Sequence, residues 1–134
     1  MGCDIHIYVE VLVEDEYSSW DFVMREPARE DTRWYHLFAR FFGARNTFHL
    51  TPLWPKRGLP ENLSKDVKDY YKYWEGDAHS PSWVGWWELK PLLKDELKQY
   101  LEEPGWYPVL FDCMERLAKE YGDAHVRWVV WFDN

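Results

Sequence analysis

Between Asp4 and Val13 apolar and polar positions alternate, with Ile5, Ile7, Val9 and Val11 on one side and Asp4, His6, Tyr8 and Glu10 on the other. That period of two predicts a β-strand with one buried face. Glu14, Asp15, Glu16, Ser18 and Ser19 predict a turn, and Trp20 to Met24 a short returning strand. The period changes from Thr32 to Gly43, where Trp34, Leu37, Phe38, Phe41 and Phe42 recur at helical spacing, with Asp31 or Thr32 placed to cap the start and Gly43 the end. Pro52, Pro55, Gly58 and Pro60 then predict an ordered irregular loop, after which Ser64 caps a helix reaching about Trp74. Asp77 to Gly85 read as a second irregular stretch, leading to a helix that starts at Trp86 or Pro91 and runs to Glu102. Pro108 opens a last helix whose Leu110, Cys113, Met114, Leu117, Ala118 and Tyr121 form an apolar stripe, closed by Gly122. Ala124 to Phe132 alternates again, and with Val126, Trp128, Val130 and Phe132 on one side it is apolar enough to lie centrally in a sheet.

These elements predict one α+β domain spanning residues 1–134: a small, mostly antiparallel sheet whose N- and C-terminal strands are neighbours, packed by about four helices. A chain of 134 residues buries roughly two-thirds of its unfolded surface, so folding requires no metal or disulfide. The apolar fraction of 46%, with 10 Trp and 9 Tyr, excludes a disordered chain. Cys3 and Cys113 are too few for a disulfide framework, no apolar run suggests a membrane span, and the N-terminus lacks signal-peptide features. The expected location is the cytoplasm. Glutamine is nearly absent (only Gln99) beside abundant Glu, Lys and Arg, a pattern associated with thermophilic proteins.

The net charge of −8 argues against duplex nucleic acid as a partner. Residues 25–60 nevertheless hold seven cations against three anions, a net +4, so the remainder carries −12. Such polarity suits either a small anionic ligand over the basic middle or a surface laced with ion pairs.

Three segments carry candidate chemistry. Asp4 and His6, two apart on a strand, point to the same side and can share a divalent metal, although a histidine satisfied by one hydrogen bond reads equally well. Asp77, His79, Ser80 and Ser82 crowd a carboxylate, an imidazole and two hydroxyls into one turn, able to supply a second Asp/His pair and ligand hydrogen bonds, or simply to shape the turn. Arg45, Asn46 and Arg57 lie in the irregular loop and can grip an anionic, nucleotide-like group, or bond carbonyls and acidic neighbours instead. The tryptophans offer stacking surfaces as well as core volume. The expected site therefore joins Asp4, His6, Asp77 and His79 as metal ligands to Arg45, Asn46, Arg57, Ser80 and Ser82 as ligand-binding residues, provided that the segment after Gly76 folds over the first strand.

The Asp-Ile-His segment resembles that of calcineurin-like metallophosphoesterases, but the Gly-Asn-His segment of those enzymes is missing here and the chain is much shorter than their fold. More of the chain resembles a family of small proteins from tailed phages and other mobile elements. The matching pieces are Cys3-Asp4-Ile5-His6, Leu37-Phe38-Ala39, Arg45-Asn46, Arg57-Gly58-Leu59-Pro60, Asp77-Ala78-His79-Ser80, Ser82-Trp83 and Trp131-Phe132-Asp133-Asn134. That resemblance implies a viral or mobile-element setting and carries no activity with it. Three readings stay open: metal-assisted phosphoester hydrolysis, non-catalytic sequestration of a nucleotide signal, and docking on a host protein machine.

Overall fold

The computed structural model describes residues 4–25, 35–44, 47, 49–102 and 105–133. Four strands form one antiparallel sheet: β1 (Asp4–Val13), β2 (Ser19–Arg25), β3 (Ala78–Gly85) and β4 (Val126–Asp133), in the order β2-β1-β4-β3. The N- and C-terminal strands are central neighbours, in register from Asp4 opposite Asp133 to Val11 opposite Val126. The helices are α1 (Tyr35–Phe42), α2 (Lys65–Trp74), α3 (Trp86–Leu89), α4 (Lys98–Glu102) and α5 (Trp106–Tyr121). The α+β architecture thus matches its sequence pattern.

Local chemistry explains most boundaries. Ser64 is the N-cap of α2, its Oγ accepting the Val67 N–H at 3.3 Å. The helix expected from Trp86 or Pro91 to Glu102 starts at Trp86 but is broken into α3, a 3₁₀ turn over Lys90–Leu92, and α4. Pro91 lacks the N–H that a continuous helix would need there. The N-cap expected at Asp31 or Thr32 lies outside the described residues.

Two expectations are corrected. Asp77 to Gly85 is not irregular: Ala78–Gly85 forms the edge strand β3. Pro81 is tolerated because it sits at a β-bulge, where Ser80 and Pro81 together oppose Trp131 alone. The Pro81 carbonyl accepts the Gly58 N–H at 3.1 Å, so the 57–58 loop covers part of this edge. Nor does β1 have only one buried face. Ile5, Ile7, Val9 and Val11 meet α1, α3 and α5, while Tyr8 packs with Val129, Trp131, Leu63 and Val67 beneath α2. The sheet is therefore the middle of three layers.

That second covered face buries charge. Glu10 and Arg127 stand directly opposite each other on the two central strands, and both side chains are nearly inaccessible. Arg127 donates from Nε to Glu10 Oε1 at 2.8 Å and from Nη1 to Asn62 Oδ1 at 2.9 Å. The second carboxylate oxygen accepts the Ser64 N–H at 2.8 Å. Burial pulls the Arg127 guanidinium below the ordinary arginine value, and the adjacent Glu10 carboxylate opposes that shift. No helix among the described residues is long and apolar enough to cross a membrane.

Glu10→Gln or Arg127→Met alone should lower unfolding free energy by about 3–5 kcal/mol, because each leaves its partner charged and buried. The double variant Glu10→Leu with Arg127→Met should lose less than either single change. Urea unfolding monitored by circular dichroism checks this, and single-variant losses below about 1 kcal/mol would show that the pair is dispensable.

Candidate functional site

Strand parity decides the fate of the predicted metal set. His6 lies opposite Trp131, on the face covered by α2, where its ring packs 4.7 Å from that of Trp74. Its Nε2 is hydrogen-bonded to the Asp133 carboxylate. Asp4, half-buried, also stands opposite Asp133. His79 instead lies opposite Phe132 and stacks on it at 6.0 Å, and Phe132 belongs to the core under α1 and α5. Directly opposed residues share a face, so His6 and His79 project from opposite sides of the sheet. Asp77 is exposed in the turn after α2. The expected convergence of Asp4, His6, Asp77 and His79 is therefore not formed. No group of three or more His, Cys, Asp or Glu side chains among the described residues is arranged to hold a metal ion.

The other predicted residues divide. Ser80 occupies the bulge at φ 54°, with its Oγ 3.1 Å from His79 Nδ1. Ser82 is fully buried, and its Oγ accepts the Arg57 N–H at 3.0 Å. Arg45 and Asn46 lie outside the described residues. Among the described members of the expected ligand-binding set, Arg57 and Ser82 are thus brought into direct contact.

Arg57 leads to a site that the sequence motifs did not outline. Its guanidinium forms a two-pronged pair with Glu88, Nη1 to Oε1 at 2.7 Å and Nη2 to Oε2 at 2.6 Å, and lies over the Trp83 ring at 4.6 Å. Glu88 Oε1 also accepts the Gly85 N–H at 3.1 Å, which ties the pair to the end of β3. Burial pushes the Glu88 carboxyl up, but the hydrogen bonds from Arg57 and Gly85 and the charge of Arg57 outweigh it and leave the pKa below the ordinary value. Arg127, bound to Glu10, lies in the same way over the Trp20 ring at 3.9 Å.

These two stacked arginines border a cleft of about 560 Å³, lined also by Asn62, Trp83 and Trp87 beside Trp20. Trp83 and Trp87 face each other at 6.4 Å and 52°, forming a tilted mouth. Gly85 makes that mouth possible: an added Cβ would stand 2.3 Å from the Trp87 ring. Both guanidinium charges are already matched by carboxylates, so the cleft offers indole faces and a carboxamide rather than free positive charge. Two sequence signals pointed this way. A charged Arg127 in a strand apolar enough to be central needs a partner, and Glu88 stands three residues beyond a glycine at a helix start.

Comparison with family models, with curated proteins and with solved structures found no match for this chain.

The lowered Glu88 pKa fixes a sign for pH dependence. A depressed carboxyl contributes stability above its unfolded pKa, near 4.5, and loses that contribution as pH falls through the folded value. Carboxyl-carbon NMR should show Glu88 titrating below 4.5 in the parent chain and at or above it in Arg57→Ala, where burial acts without the guanidinium. Identical titrations in the two proteins would refute the pairing.

Proposed function

We propose that this chain is a small-ligand-binding protein whose tryptophan-lined cleft takes a flat heteroaromatic group of low charge, a nucleobase or nucleoside, without chemical turnover. The observation that carries this reading is the state of Arg57 and Arg127, each held by a carboxylate and laid against an indole. A phosphate would have to displace Glu88 from Arg57 to gain its guanidinium. A flat ring needs no such displacement, because indole faces stack on any base and the Asn62 amide, oriented by Arg127 on its carbonyl side, keeps its N–H donors.

The anionic nucleotide-like ligand expected from the basic middle is thereby narrowed to its base. Metal-assisted phosphoester hydrolysis draws no support from the separated Asp/His pairs. In the viral setting that the family resemblance implies, a binder of this kind would act by sequestering its ligand.

Titration of the chain with adenosine, guanosine, their monophosphates and ribose 5-phosphate, read from indole N–H signals by NMR, tests the proposal. A nucleoside should bind, its monophosphate within about threefold of it, and ribose 5-phosphate not at all. Trp83→Ala should weaken binding by about 5- to 150-fold, the range for one lost stacking platform. Raising salt from about 50 to 500 mM should change affinity little. Phosphate-dominated binding, or ligand recovered chemically altered, would overturn the reading.

A further inference from the structure

On the same side of the sheet, a second hollow of about 500 Å³ lies between α2 and the end of β2. Asp66, Asp69, Tyr70 and Tyr73 fall at positions i, i+3, i+4 and i+7 of α2, so one side of the helix presents two carboxylates and two phenol rings, with Trp74 next to them. Tyr73 is 80% exposed, which core packing does not explain. Its ring meets that of Trp74 at 5.3 Å and 88°, so the two make a right-angled aromatic corner. Arg25 closes the other side with its guanidinium 5.4 Å from the centre of the Tyr70 ring.

Three features select the occupant. The aromatic faces carry negative electrostatic potential and attract cations, and Arg25 already occupies such a position over Tyr70. Among the described lining residues Asp66 and Asp69 outnumber Arg25, which gives them one net negative charge. Lys65 approaches Asp69 at 3.7 Å but is 90% exposed, so its neutralisation of that carboxylate is weak. Finally, the walls are mostly apolar carbon, which disfavours a strongly hydrated primary ammonium and suits a cation wrapped in methyl groups.

We propose that this hollow is a binding site for a free quaternary ammonium solute of the trimethylammonium type, held by the Tyr73–Trp74 corner and the carboxylates of Asp66 and Asp69. The site is separate from the tryptophan cleft and stands or falls independently of it. The same chemistry would recognise a trimethylated lysine on a protein, but the described lining is a single hollow of head-group size between one helix and one strand end, so the free solute is the occupant chosen.

The experiment compares choline with its uncharged isostere 3,3-dimethylbutan-1-ol, which has the same shape without the charge. Choline should shift the Trp74 indole N–H and Tyr73 ring signals and saturate with a dissociation constant of about 1–10 mM. The isostere should bind at least about tenfold more weakly. Tyr73→Ala, at a position too exposed to threaten folding, should weaken choline at least about fivefold with an unchanged circular dichroism spectrum. Asp69→Asn should also weaken it while leaving the isostere unaffected. Equal binding of choline and its isostere, choline binding unchanged by Tyr73→Ala, or no shift up to about 50 mM would each overturn the proposal. A trimethyl-lysine peptide binding at least about tenfold tighter than choline would overturn the choice of a free solute.

Discussion

The ion pair between Glu10 and Arg127 is the interaction on which the rest of the molecule hangs. It joins the two central strands directly across their ladder, in a place almost closed to water. Burying two charges is costly, and the pair is tolerable only because its remaining hydrogen-bonding capacity is met by Asn62 and the Ser64 N–H. Those partners lie in the segment that starts α2. The pair therefore fixes the sheet register and docks the helix covering that side. A slip of one residue would carry Arg127 into the apolar cluster of Trp128, Val130 and Phe132.

From that clamp the three layers follow. Alternate residues of β1 feed the large core under α1, α3 and α5, and the others feed a smaller aromatic cluster under α2 in which Tyr8 stacks on Trp131 at 4.5 Å. The outer strand β3 is held on one side by its ladder with β4 and on the other by Gly58 and Arg57, whose N–H groups reach the Pro81 carbonyl and the Ser82 hydroxyl. The same short loop sends the Arg57 side chain to Glu88, so edge protection and cleft wall are built from one segment.

Sequence periodicity carried the central strands, the Ser64 cap and the antiparallel pairing of the two ends, because each depends on local spacing or on a residue with one strong preference. It could not show what covers the second face of β1, since His6, Tyr8 and Glu10 alternate with apolar residues whether water or α2 lies above them. The β3 strand was hidden by Ser80, Pro81 and Ser82, whose local preference is for turns and whose strand geometry comes from pairing with β4. Without that strand His79 had no parity, and its placement on the other face of the sheet from His6 could not be anticipated. For His6 and Arg57 the simpler alternatives hold: His6 is satisfied by Asp133, and Arg57 pairs with an acidic neighbour and approaches the Trp83 carbonyl. Arg40 likewise pairs with Glu96 at 2.9 Å, so at these positions the basic middle is ion-paired rather than open.

The cleft repeats one device on two walls. In each, a carboxylate holds a guanidinium plane and an indole packs against it, with Glu10, Arg127 and Trp20 on one side and Glu88, Arg57 and Trp83 on the other. The carboxylates remove the long-range pull on anions and lock the arginines as flat, rigid surfaces. Side chains already ordered in the free protein lose little further entropy when a ligand arrives. Trp87 differs, since it rests on Gly85 with more than a third of its surface exposed. The missing Cβ at residue 85 lets the Trp87 ring lie directly against the backbone there, so the cleft combines two walls fixed by carboxylate-held arginines with a third, more exposed indole seated on a glycine.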